Sequence, residues 1–232
     1  MYELRILDLG LRDYKEVWSL QKELHSKRVI NNIPDTLILV EHNPVITLGK
    51  SGRQENIKIP LKLLKEKGIE FYHIERGGDV TFHGPGQLVG YPIFNIKMGL
   101  AGIKPFIEKI EEIIIATLNE FGITANKREK MIGVWVGDKK ICSIGIAVKQ
   151  WVSFHGFALN VNNDLGYFDL INPCGFKDIK MTSMQEILKN PVDMEGLKEV
   201  VINKFTRLCG YKRMLFQSQN VPLIPKRYVP FL

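Results

Sequence analysis

The sequence predicts an α+β fold built on a mixed, largely antiparallel sheet flanked by helices. Two observations carry this expectation: segments that read as strands outnumber those that read as helices, and neighbouring strands often follow one another with no helix between them. A doubly wound parallel sheet would alternate the two. The 232 residues are enough to bury one sizeable core. No repeat, low-complexity stretch or Pro/Gly/Ser linker divides them, so residues 1–232 read as a single domain.

After a short first strand, residues 13–30 read as a helix, because Tyr14, Val17, Trp18, Gln21 and Leu24 recur on one face. Thr36-Leu37-Ile38-Leu39-Val40 is a buried strand and Val45-Ile46-Thr47-Leu48-Gly49 a second. A short helix over Leu61–Lys67 ends at Gly68, a residue suited to a helix C-terminus. Strands follow over Glu70–Glu75 and Leu88–Asn95. The clearest helix runs from Pro105 to Phe121, with Ile107, Ile110, Ile114 and Leu118 in a stripe and Gly122 as its stop. Val134-Trp135-Val136, Gly137-Asp138 and Ile141–Val148 read as a hairpin, Trp151–Val161 as a further strand and residues 193–208 as a last helix. Pro222, Pro225 and Pro230 suit a tail, from Tyr211 to Leu232, that runs extended over the surface.

Composition narrows the partners without choosing one. The formal net charge of +7 favours an acidic partner, and a nucleic acid or an acidic carrier protein meets that equally well. No apolar run has the length of a membrane span, and Met1–Arg5 lacks the basic start and apolar core of a signal peptide, so a cytoplasmic location is expected. Three cysteines, Cys142, Cys174 and Cys209, read as free thiols. The five histidines show no paired metal-ligand spacing.

Three segments stand out chemically. Arg76-Gly77-Gly78-Asp79-Val80-Thr81-Phe82-His83-Gly84-Pro85-Gly86-Gln87 is glycine-rich enough to wrap a ligand in backbone N–H groups, or to make two tight turns between strands. It is neither a Walker loop nor a dinucleotide fingerprint. Lys140 opens the apolar run Ile141-Cys142-Ser143-Ile144-Gly145; there it is either a solvated edge charge or, drawn into an apolar pocket, a usable base. His155, in Ser153–Asn162, reads as a ligand, a base or a half-buried strand histidine. In Ile171-Asn172-Pro173-Cys174-Gly175 a thiol sits in a stiff turn, exposed enough to react if a cationic or basic neighbour supplies its thiolate.

Taken together these segments resemble the lipoyl(octanoyl) transferases of lipoate biosynthesis. The resemblance runs in order from Arg76–Pro92 through Gly133–Gly145 and Ser153–Val161 to Ile171–Gly175, with weaker likeness from Glu41-His42-Asn43-Pro44. It implies the fold shared with biotin and lipoate protein ligases, including a smaller second sheet. It implies transfer of an octanoyl group from acyl carrier protein to a lysine of lipoyl domains in 2-oxoacid dehydrogenases and the glycine cleavage H protein. On this resemblance no cofactor, metal, nucleic acid or membrane is expected to take part. Carried onto this chain, the family roles make Cys174 the acyl-thioester nucleophile and Lys140 the group that lowers its pKa. The substrate cradle is then Arg76, Gly77, Gly78, Asp79, Val80, Thr81, Phe82 and His83, with Ser143, Ile144 and Gly145, and with Gly156, Phe157 and Ala158. Cys142 is left a packing role. The competing readings are an ATP-dependent ligase on the same fold, a cysteine hydrolase pairing Cys174 with His83 or His155, and a non-catalytic binder.

Overall fold

A computed structural model describes residues 3–97, 102–173 and 179–217. The chain opens with β1 (Glu3–Arg12), α1 (Tyr14–Val29), β2 (Asp35–His42) and β3 (Val45–Leu48). Next come α2 (Leu61–Glu66), β4 (Glu70–His73), β5 (Val80–His83), β6 (Gln87–Ile93) and α3 (Ile103–Glu120). β7 (Asn126–Arg128), β8 (Met131–Val136), β9 (Lys139–Lys149) and β10 (Val152–Asn160) follow. The described chain ends with α4 (Met184–Leu188), α5 (Met194–Leu208) and β11 (Arg213–Gln217).

Eight strands form one sheet in the order β11-β1-β2-β6-β10-β9-β8-β7, and three form a smaller one in the order β4-β3-β5. In the large sheet β1 runs parallel to β11 and β2, and every other pairing is antiparallel. The expected mixed α+β architecture with a second sheet is therefore what the chain adopts.

Both faces of the large sheet are covered, which is why β2 reads as an unbroken apolar run. Leu37 and Leu39 join the core under α3 and α5, with Ile110, Ile114, Val201 and Phe205. Ile38 and Val40 face the other way and pack beneath Val17 and Leu24 of α1. The small sheet has its own core of Ile46, Leu48, Val80, Phe82 and Phe168.

Four elements were not anticipated: β5, β7, α4 and β11. β5 lies inside the glycine-rich segment and is too short to show a period; β7 and α4 span three and five residues and have the same excuse. The tail departs from expectation at 213–217, where the backbone adds a parallel strand to the β1 edge. Residues 218–232, with their prolines, lie outside the described residues, as does Cys174.

Candidate active site

The glycine-rich segment is a seam between the two sheets. Its start is pinned by Arg76, whose Nη2 donates to the Thr47 carbonyl oxygen at 2.8 Å and to Thr47 Oγ1 at 3.1 Å. Gly77 N–H donates to the Ile146 carbonyl oxygen of β9 at 2.9 Å, so the loop leans on the large sheet. Asp79 turns its carboxylate back on its own loop, accepting from Val80 N–H at 2.7 Å and from Asn56 Nδ2 at 2.6 Å. The approach of Gly77 to β9 needs a bare backbone opposite: a Cβ at Gly145 would lie 2.9 Å from the Gly77 carbonyl oxygen.

Between loop and sheet lies a cleft of about 480 Å³, measured to its open mouth. Arg76, Gly78, Asp79, Val80, Thr81 and His83 form one wall. Ser143, Ile144 and Gly145 of β9 and Gly156, Phe157 and Ala158 of β10 form the other, and Tyr14, Val89, Tyr91 and His155 complete it. Two residues of the expected cradle do not line it. Phe82 turns into the small-sheet core, stacked on Tyr167 at 4.5 Å, and Gly77 contributes the backbone contact to Ile146.

The histidines around this cleft are neutral near pH 7. Burial lowers His42 to about 4, and burial with the neighbouring His42 lowers His83 to about 3. His155 is lowered by burial too, although its hydrogen bond to Glu75 opposes the shift. Since a carboxylate only accepts, His155 Nε2 carries the proton it donates to Glu75 Oε2 at 3.4 Å. Glu75 also accepts from Trp18 Nε1 at 2.9 Å, and the His155 hydrogen bond holds its carboxyl well below the usual carboxylate range. His155 itself has a left-handed backbone, φ 57°, inside a strand. Such strain persists only where the surroundings over-determine it, and here Gln21 Oε1 accepts its N–H at 2.8 Å.

Lys140 sits on β9 below the cleft and is 3% exposed, not a solvated edge charge. Its Nζ donates to the Ile132 carbonyl oxygen at 2.8 Å and lies 5.4 Å from the Trp135 ring centre. Its backbone holds the segment that returns after Cys174: Lys140 N–H donates to Lys180 O at 2.8 Å, and Thr182 N–H to Lys140 O at 2.9 Å. On the near side, Asn172 N–H donates to the Asn56 carbonyl oxygen at 2.7 Å. Cys142 is fully buried, and burial pushes its thiol far above the ordinary value, which leaves it inert. Among the described residues no group of His, Cys, Asp or Glu could hold a metal ion, and no helix is long and apolar enough to cross a membrane.

Comparison with known proteins places this geometry. Residues 13–206 match the family described as lipoyl protein ligase A/B catalytic domain. An octanoyltransferase of Dictyoglomus turgidum is 49% identical over 91% of this chain and 90% of its own length. One from Caldicellulosiruptor saccharolyticus is 42% identical over 97% and 96%. The chain belongs to the octanoyltransferase family. The octanoyltransferase chain also shares its fold with P. falciparum LipL1 in complex with lipoate, at a TM-score of 0.74 and 20% identity over 93% of this chain and 66% of that one. The archaeal lipoate protein ligase of Thermoplasma acidophilum gives 0.73 and 17% over 94% and 87%.

Sequence reading missed several residues that shape this octanoyltransferase cleft. Tyr14 was legible only as part of a helix stripe, yet it stacks on His83 with ring centres 6.0 Å apart. Tyr91 donates its hydroxyl to His42 Nε2 at 2.8 Å, since His42 Nδ1 faces the Arg12 carbonyl oxygen at 3.0 Å. Neither contact has a local signature; each joins residues far apart in the chain.

Proposed function

We propose that the chain moves an octanoyl group from the thioester of an octanoyl-acyl carrier protein to a lysine ε-amine of a lipoyl domain, through an octanoyl thioester on Cys174. The observation that carries this reading is the 42–49% identity to octanoyltransferases over most of both chains. The reaction occupies one catalytic domain over residues 1–232, in the cytoplasm, with lipoyl domains of 2-oxoacid dehydrogenases and the glycine cleavage H protein as acceptors.

In the first step Lys140 takes the Cys174 proton, and the thiolate attacks the donor carbonyl. The tetrahedral intermediate collapses by expelling the carrier thiolate, which leaves as the thiol. In the second, the acceptor amine attacks the Cys174 thioester, its proton passes to a base, and Cys174 returns as a thiol while an amide forms. One thioester replaces another and then gives an amide, so no nucleotide is consumed. The cleft suits the acyl chain: it is walled by Val80, Val89, Ile144, Phe157 and Ala158. At about 0.8 kcal/mol per buried CH₂, an eight-carbon tail gains roughly 5 kcal/mol there. The net charge of +7 steers acidic partners to the mouth.

Intact-mass measurement after mixing with octanoyl carrier protein tests this. A hydroxylamine-labile octanoyl adduct on Cys174 is expected, absent in Cys174→Ala. Undiminished transfer by Cys174→Ala from free octanoate and ATP would instead make the chain a ligase. Release of free octanoate would make it a hydrolase, a role for which His83, lowered to about 3, is a weak base.

A further inference from the structure

The lysine side chain of β9 has surroundings that its proposed role does not yet use. β9 carries an extra residue opposite β8: Val134 pairs with Cys142 but Trp135 with Lys140, which leaves Ile141 as a bulge and re-aims Lys140. The space Lys140 then occupies belongs to Gly133. At φ 129° a Cβ there would lie 2.4 Å from Lys140 Cε, 3.0 Å from Nζ and 2.6 Å from the Cys142 carbonyl oxygen. The β7–β8 ladder is irregular between Asn126 and Arg128, and Gly133 N–H turns to α3 instead, donating to Glu111 Oε1 at 2.9 Å. A carboxylate 6% exposed in a helix–sheet interface is costly, and one neutral acceptor would satisfy the same N–H.

We propose that Glu111 is the positioning residue of Lys140: its carboxylate fixes Gly133 and the Ile132 carbonyl in the strand that cradles the amine, and sets a negative charge against the ammonium formed when Cys174 loses its proton. The inference rests on the Cys174–Lys140 reading and deepens it. The charged and titratable groups that face Glu111 are Glu108 on α3, Lys127 on β7, and Lys140 and Cys142 on β9. Lys127 is 36% exposed in its side chain and already pairs with Glu112 at 3.3 Å, so solvent and Glu112 share its charge. Burial raises the Glu111 carboxyl above the ordinary value, with the Gly133 hydrogen bond, Lys127 and Lys140 opposing it. The Gly133 hydrogen bond and the Lys127 cation favour its charged form.

The test uses the full chain and two readouts: alkylation of Cys174 by iodoacetamide against pH, followed by peptide mass, and single-turnover acylation by octanoyl carrier protein. Glu111→Gln keeps the shape and an oxygen acceptor but removes the charge. Its alkylation midpoint should move upward, in the direction of Lys140→Ala and by less, with acylation slowed about tenfold and the KM for carrier protein held. Glu111→Asp, which keeps the charge, should recover part of the rate. A Glu111→Gln enzyme with wild-type midpoint and rate, beside a shifted Lys140→Ala, overturns the inference alone and leaves Glu111 a strand tie. A lowered melting temperature with an unmoved midpoint has the same meaning. A Lys140→Ala profile identical to wild type overturns the dyad reading together with this one. Should Glu111→Ala fail to fold, the isosteric Gln variant still decides.

Discussion

At Gly156, in the cleft wall, a Cβ would lie 2.0 Å from the Gly90 carbonyl oxygen; at Gly133, beside the lysine, it would lie 2.4 Å from Lys140 Cε. Both glycines make room, but for different things. Gly156 lets two neighbouring strands of the large sheet approach, and the obstacle is backbone that cannot step aside. Gly133 makes room for a side chain that the proposed chemistry needs. The first kind of glycine sets whether the cleft exists, and the second sets where the charge inside the protein sits.

The comparison breaks most visibly at Gly156. Gly156→Ala forces strand against strand, and overpacking of that kind costs about 3 kcal/mol. The expected result is a large drop in the urea midpoint, with transfer lost through unfolding. A Gly156→Ala protein of wild-type stability would end the account of the cleft wall.

Gly133→Ala should separate stability from activity. The end of Lys140 can step aside, whereas the Cys142 carbonyl oxygen at 2.6 Å and the φ of 129° cannot, so the variant both moves the amine and loses roughly 1–3 kcal/mol. That movement displaces the proposed base, and a misplacement near 1 Å can cost on the order of 100-fold in rate. Single-turnover acylation should therefore fall far more than the urea midpoint predicts. A variant whose activity tracks its stability would show that the two glycines act alike.

This contrast marks what the sequence made legible. Thr36–Val40 and Pro105–Phe121 were readable because a buried run and a 3.6-residue stripe are local patterns, and β2 and α3 lie there. The segments Arg76–His83, Ser143–Gly145 and Gly156–Ala158 were readable as motifs, and most of their residues share one cleft. The direction of Phe82 was not, because its neighbour Tyr167 is supplied by a distant 3-10 helix over Leu165–Leu170. Glu111 was hidden for the same reason: on its helix it looks like one more charge, and only the fold brings Gly133 N–H to it.

Acid should expose the next difference. The cleft side holds His42 and His83, with pKa values lowered from 6.5 to about 4 and about 3. Below pH 6.5 the unfolded chain binds protons that the folded chain refuses. The stability these sites allow is thus whole above pH 6.5 and is lost as pH falls toward 4 and 3, at up to about 1.4 kcal/mol per pH unit for each histidine. Urea midpoints between pH 7.5 and pH 5 should fall steeply in wild type and less steeply in His83→Gln. Equal slopes in the two proteins would place the acid sensitivity elsewhere.

The smallest effect is expected at the α1 rim. Lys22 pairs with Glu75 at 3.0 Å and lies 3.6 Å above the Trp18 ring centre, but the ion-pair side chains are 48% and 39% exposed. Solvent screens such a pair, so Lys22→Ala should cost less than about 1 kcal/mol, and most of that should vanish in molar salt. Glu75→Ala removes more, because Trp18 Nε1 and the buried His155 Nε2 both lose their acceptor. An unpaired buried donor costs about 1–3 kcal/mol, and salt does not relieve it. Melting curves of the two variants with and without salt therefore separate a screened rim charge from the acceptor that holds a strained histidine in the cleft wall. Equal, salt-sensitive losses would mean that Glu75 serves only the surface pair.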